Sequence, residues 1–540
     1  MAIEQELAAP ALTWAATWVS ITPPLLAIAL ALAFRQVIPA LFLGVWLGAW
    51  AINGFDINGL WTGLLDSFQV YLLAAFADAD HAAVILFSLM IGGMVGIISR
   101  NGGMHGVVRH IVGWADDARH ACLATASMGL AVFFDDYANT LVVGNTMRPV
   151  TDSMRVSRAK LAYLVDSTAA PVACIFLVTT WIGYQVGLIG DAISYIPDLN
   201  MEAYLVFLAT IPYSFYPILA IVFVFMVAWS DRDFGPMYEA ELRARQQCVD
   251  GVSAMDNAMA ADCEPIEPVK GKPQRAINAI LPLLMLVGGV MGGLYVTGAA
   301  AAGGDNPAVR DIIGAADSYK ALMWGSLLGM VTAVVLTLAQ RLMSLDEVVS
   351  AWYKGMRTML YAMVILLLAW SLGGITESLK TAEFLVEALG DRLPVALVPA
   401  VVFVLAAGTA FATGSSWGSM GILLPLVVPL TWAVMKASGQ SGPEDMHLLY
   451  SAIACVLAGS VWGDHCSPIS DTTILSSMAS GCDHIEHVRT QLPYAFAVGA
   501  VALGMGTIPV AYGMPWWLAL PIGAVLLALA LRLFGKRVPV

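Results

Sequence analysis

Apolar runs, most of them long enough to cross a bilayer, recur along this chain from residue 14 to residue 533. They fall at 14–34, 37–54, 60–77, 81–99, 120–134, 136–150, 161–190, 203–229, 277–298, 320–340, 358–379, 394–413, 415–435, 448–480, 491–512 and 516–533. A helix needs about 20 apolar residues to cover a hydrocarbon core of about 30 Å, so the expected fold class is an all-α polytopic membrane protein. Charge content agrees: 12% of the 540 residues are charged, where a soluble chain carries roughly a quarter. The net charge of −13 is spread through the loops, and no basic run points to nucleic acid. The opening MAIEQELAAP has no Lys or Arg ahead of its first apolar run, so a cleaved signal peptide is not expected. Seven cysteines lie scattered without C-x-x-C spacing, and no disulfide framework is expected.

Four runs are irregular. Those at 120–134 and 136–150 have 15 residues each, about 22 Å of helix, which is short of an untilted crossing. They meet at VFFDDYANT (132–140), which suggests a re-entrant hairpin with its tip inside the membrane. The runs 161–190 and 448–480 are too long for one ordinary helix. Each carries a polar interruption with a proline, VDSTAAPVA around Pro171 and GDHCSPISD around Pro468. Irregular backbone at membrane depth survives only where it is buried in protein or lines a cavity. Broken spans in corresponding positions of two halves point to a transporter's binding site.

If both suspected hairpins return to the side they entered from, about 12 spans remain, and 20 of the 26 Lys and Arg residues gather on one side. The positive-inside rule makes that side cytoplasmic, with both termini inside and the protein in the plasma (inner) membrane. Each half then has, in order, a span, a hairpin, a broken span and a span, over 81–229 and 358–512. The second hairpin tip is ATGSSWGS (412–419), and AAPVACIFLVTTW (169–181) aligns with CSPISDTTILSSM (466–478), proline on proline. The halves start on opposite sides, so inverted repeats are expected. Around them lie N-terminal spans at 1–80, a cytoplasmic loop at 230–276, linking spans at 277–357, and a last span with cytoplasmic tail at 513–540.

At these residues the sequence resembles the NhaC family of Na+/H+ antiporters, within the broader ion transporter superfamily. The resemblance rests on FFDDYANTLVVGNTMRP (133–149), SRAKLAYLVDSTAAPVA (157–173), IPYSFYPILA (211–220) with RDFGPM (232–237), ATGSSWGSMGILLPL (412–426) and GDHCSPISDTTILSS (463–477). It implies Na+-linked secondary transport rather than an enzyme, and an elevator-like scaffold, which by analogy is often a homodimer. It leaves the solute open, because relatives include carriers of organic acids and amino acids.

An intramembrane carboxylate is costly unless paired, hydrated or bound to an ion. That singles out Asp135, Asp136, Asp166, Asp464 and Asp471. Sodium takes oxygen ligands, which Asn139, Thr140, Ser167, Thr168, Ser467, Thr472 and Thr473 offer nearby. Burial disfavours the ionised carboxylate and a cation favours it, so one such group takes either a proton or Na+, the minimal chemistry of exchange. Asp135, Asp136 and Asp464 are the expected Na+ ligands, since adjacent carboxylates at a hairpin tip repel unless something neutralises one. The plainer alternative is that each Asp or Ser caps a half-helix, and for Asp166, Ser167 and Asp471 it weighs equally.

His465 suits a proton relay, since histidine titrates near neutrality, or a buried structural role. Ser415, Ser416 and Ser419 offer ligands at the second tip, or small residues for close packing. His484 and His487 fall in an expected cytoplasmic loop, and the spacing is no standard zinc site. The leading expectation is a Na+/H+ antiporter working by alternating access at a midplane ion site, with no cofactor beyond Na+ as transported or coupling ion. The alternative is a Na+-coupled symporter or exchanger of an amino acid or small organic acid on the same scaffold.

Overall fold

The structure is a computed structural model and describes residues 14–538 except 35, 113–116, 134, 178, 197–198, 200, 247–267, 270, 302–311, 313–315, 382–383, 385–393 and 469. Both chain ends, most of the expected 230–276 loop and Phe134 at the first tip therefore lie outside the described residues. The protein is a multi-pass helical membrane protein. Among the described residues, 10 helices are long and apolar enough to cross a membrane, or 11 if a bent pair counts as one span.

The expected number was 12, and the differences have local causes. The first two apolar runs form helices of 13 and 16 residues, Thr22–Phe34 and Val37–Ile52, too short to be counted as spans. The run 161–190 is broken into three pieces, Arg158–Asp166, Ala170–Ile175 and Ile182–Ser194. The run 203–229 bends by 51° beside Ser214. In the other direction, both arms of the second suspected hairpin, Val395–Thr413 and Ser416–Ala437, have the length and apolarity of spans. The boundary drawn at 357/358 also falls inside one continuous helix, Leu345–Ser378. It starts early because Ser344 and Glu347 form a reciprocal capping box ahead of the apolar run.

The first suspected hairpin is an antiparallel pair, Ala118–Ala131 and Asp136–Ser153. Its two feet, Asp117 and Ser153, line one cavity, so the chain comes back to the face it left. The N-terminal foot is capped by Asp117, whose carboxylate accepts from His120 N at 2.6 Å. In the second half, Val398–Thr413 lies along Met446–Cys466 with backbones nearly touching. Gly459 and Gly463 permit this, because a Cβ on either would run into the carbonyl oxygens of Phe403 and Ala407. Spacing of small residues by four is how membrane helices approach closely. Near the chain's end, Arg232–Asp233 pairs antiparallel with Lys536–Arg537, so the tail is fastened to the RDFGPM segment.

Candidate functional site

The first broken span stops at Asp166 and restarts with Pro171 in the first turn of Ala170–Ile175, where a missing N–H costs nothing. The second ends at Cys466, because Pro468 cannot continue it, and Asp471 opens the next helix, Asp471–Ser480. A carboxylate in a first turn faces the positive end of the helix dipole. The two interruptions touch: Ser167 Oγ lies 3.0 Å from His465 Nε2. The other ring nitrogen, Nδ1, lies 2.6 Å from the Tyr216 hydroxyl.

Asp166 is the most densely bonded of the expected carboxylates. Its Oδ2 accepts from Gln491 Nε2 at 2.6 Å and from Thr473 Oγ1 at 3.3 Å, and stands 3.3 Å from His487 Nε2. Gln491 Nε2 also donates to the His465 carbonyl at 2.7 Å. One side chain thus joins the first break, the second break and the helix His484–Val501. The expected loop is corrected here: His484 and His487 lie in the first turn of the helix His484–Val501, and His487 is fully buried. Its helix is capped by Asp483 and packs inward from its first turn. Gln491 and Tyr216 were not among the expected site residues. His487 and Gln491 are four apart, hence on one helix face, which was the available signal.

Asp464 Oδ2 accepts from Thr472 Oγ1 at 3.2 Å, and Thr472 Oγ1 lies 3.1 Å from Ser470 Oγ. Asp471, which is exposed, accepts from the Tyr137 hydroxyl at 3.0 Å, so the first hairpin tip reaches the second break. Ser467 Oγ donates to the Phe411 carbonyl at 2.8 Å, which ties that break to the second tip.

At the first tip, Asn139 Nδ2 donates to the carbonyls of Gly129 and Thr168 at 2.7 and 2.8 Å. One amide therefore holds both hairpin arms and the first break together. Thr140 Oγ1 and Thr168 Oγ1 are spent on carbonyls of their own helices, those of Asp136 and Leu164, both at 2.8 Å. Asp135 and Asp136 are both buried. Asp136 lies beside Asp135 and Trp181. Both Asp136 carboxylate oxygens and Asn139 Oδ1 are buried with no hydrogen-bond partner among the described residues. Residues three apart share a helix face, and a donor beside Asp136, the Trp181 indole Nε1, is itself buried with no hydrogen-bond partner among the described residues. A buried acceptor left that way is costly unless a proton or cation completes it.

At the second tip, Ser415 Oγ accepts from Gly418 N at 3.3 Å, and Ser419 Oγ donates to the Ser415 carbonyl at 3.1 Å. Both serve the start of their helix, and Ser416 is buried within it. No group of three or more His, Cys, Asp or Glu side chains has metal-holding geometry among the described residues.

A second buried polar cluster lies where SRAKLAY meets RDFGPM. Lys160 Nζ donates to Asp233 Oδ2 at 2.7 Å, and Tyr494 donates its hydroxyl proton to Asp233 Oδ1 at 2.9 Å. Glu241 Oε1 accepts from Ser157 N at 2.7 Å. Burial pushes the Glu241 carboxyl above its ordinary range, with Lys160 opposing and Asp233 adding to the shift. This cluster clamps the foot of the first broken span rather than facing the tip.

The fold agrees with what known proteins show. A family model described as the Na+/H+ antiporter family matches residues 172–508. An uncharacterized protein of Haemophilus influenzae is 33% identical over 519 residues, 95% of each chain. The arginine/ornithine antiporter ArcD of Halobacterium salinarum is 37% identical over 116 residues, 20% of this chain and 21% of its own. Among solved structures, the YdaH transporter of Alcanivorax borkumensis shares the fold with a TM-score of 0.56 at 16% identity, covering 85% of this chain and 90% of that one.

Proposed function

This chain belongs to the Na+/H+ antiporter family and is a secondary transporter, and on that premise we propose that it exchanges Na+ for H+ by alternating access. One observation carries the reading: the buried, unpartnered carboxylate oxygens of Asp136 and amide oxygen of Asn139, next to Asp135 and the Trp181 indole. Oxygen acceptors of this kind suit a hard cation, and two neighbouring carboxylates cannot both ionise cheaply without one. Na+ binding then favours the ionised pair, and Na+ departure favours protonation, so each ion displaces the other.

In this reading Asp166 is a positioning residue. Its Oδ2 is occupied by Gln491, Thr473 and His487, which fixes the two breaks against each other. His465, between Ser167 and Tyr216, offers a proton path between them. Asp464, with Thr472 and Ser470, is a second station on that path. The halves 81–229 and 358–512 act as inverted repeats of an elevator-type carrier, working as a homodimer in the plasma membrane with both termini cytoplasmic.

A second reading has one observation in its favour, the local identity to a protein named as an arginine/ornithine antiporter. There the chain exchanges an amino acid or small organic acid in a Na+-coupled cycle on the same scaffold. Purified protein in vesicles holding a pH-sensitive dye separates the two. A lumenal pH change on adding Na+ alone supports Na+/H+ exchange. Silence until an amino acid or organic acid is added supports the second reading.

A further inference from the structure

A cavity of about 1440 Å³ opens between the feet of the first hairpin, the end of Phe215–Ser230 and the end of Trp516–Phe534. Six arginines line it, Arg119, Arg155, Arg232, Arg245, Arg532 and Arg537, against two carboxylates, Asp117 and Asp231. Among the described residues only Arg245 has a carboxylate partner, Asp231 at 3.1 Å. The strand pairing sets Arg232 directly opposite Arg537, and like charges directly opposite destabilise a ladder. Arg119 lies over the Trp229 ring at 4.0 Å, and its Nε is buried with no partner, as is the Nε of Arg245. Among the described residues, guanidinium groups thus outnumber the carboxylates around this cavity six to two.

The chemistry of the walls says what balances that excess. Guanidinium groups match phosphate oxygens in a bidentate geometry. Three of the enclosing helices finish here, and Trp229 is 63% exposed, as expected of an aromatic at the membrane–water interface. Met226, Ala528 and Leu531 give the same cavity an apolar wall, the surface an acyl chain needs and a free anion does not. Basic pockets between membrane helices at this level bind anionic headgroups.

We propose that this cavity binds a phosphate-bearing anion, with the headgroup of an anionic phospholipid as the source that fits its apolar wall. The site is separate from the Asp136 face, so it stands whichever transport reading holds.

The test is a thermal-shift titration of the full-length protein in detergent, since a ligand bound to the folded state raises apparent stability. The probes are dihexanoyl phosphatidylglycerol, phosphatidylcholine of the same chain length, and inorganic phosphate. The comparison protein is Arg155→Asn with Arg537→Gln, because neither side chain makes a hydrogen bond among the described residues. Asn tolerates the positive φ of 57° at Arg155. Phosphatidylglycerol should bind well above phosphatidylcholine, weaken with salt, and lose about tenfold or more in affinity when the two charges are removed. Inorganic phosphate binding as tightly as phosphatidylglycerol, with the same loss in the variant, supports the site with free phosphate as its source. Equal binding of both lipids, or unchanged phosphatidylglycerol affinity in the variant, overturns it. If the double variant does not fold, Arg532→Gln is read in the same way.

Discussion

His487 Nε2 stands 3.3 Å from Asp166 Oδ2, although the two residues are 321 positions apart in the chain. Both are buried, and Gln491 closes the third side of the same carboxylate at 2.6 Å. Truncation to Asp166→Ala leaves the donors of Gln491, Thr473 and His487 unpaired in the interior, at about 1–3 kcal/mol for each group so stranded. Asp166→Ala should therefore melt well below wild type in detergent, and Asp166→Asn should lose less. Melting of Asp166→Ala at the wild-type temperature would show that the contact holds nothing together.

The Lys160–Asp233 pair makes a different prediction. Both side chains are buried, and removing one partner of a buried ion pair strands the other, at about 3–5 kcal/mol. Lys160→Met should be strongly destabilised, with Asp233 and Glu241 both left without their cation. Lys160→Met combined with Asp233→Leu should recover part of that loss. Equal melting of Lys160→Met and wild type would mean that the pair contributes nothing.

How much of this was legible depended on the kind of signal. Run length and charge content were enough for the helical membrane fold, because bilayer thickness acts on every span alike. Proline within a polar stretch located both breaks, at Pro171 and Pro468, since the missing N–H is a local property. His487 and Gln491 escaped because their helix starts only four residues beyond Ser480, in a stretch whose polarity resembles a loop. Their value comes from Asp166, which only folding brings near. Ser415 and Ser419 read almost equally well as ligands or as small residues for close packing, whereas the structure spends both on the start of their helix. The choice between those depends on which backbone group lies within reach, and the sequence does not contain it.

Close packing at Gly463 is testable by size alone. A Cβ there meets the Ala407 carbonyl oxygen, part of the backbone and so unable to rotate away. Gly463→Ala should cost about 1–3 kcal/mol by overpacking. Gly463→Leu should fail to give monodisperse protein. Normal elution and melting of Gly463→Leu would show that the two helices are not locked together along this seam.

The pH dependence of stability has a defined sign at Glu241. Its folded-state value lies above the ordinary 4.5 because burial dominates. The folded protein therefore holds more protons there than the unfolded chain, so this group's contribution falls as pH rises from 4.5 towards the raised value. Glu241→Gln removes the titration. Plotted against pH, its melting temperature should decline less than that of wild type across that window, with the two differing most at the upper end. Parallel curves would exclude Glu241 as a contributor.

The central claim is that Asp136, on the helix face it shares with Asn139, is where Na+ and H+ displace each other. The direct measurement is lumenal pH in vesicles carrying Asp136→Asn, after Na+ addition, beside wild type reconstituted at equal density. The account predicts that Na+-driven proton movement in the variant falls to the level of empty vesicles while the protein remains folded. Proton movement at the wild-type rate, with the same Na+ dependence, would contradict it.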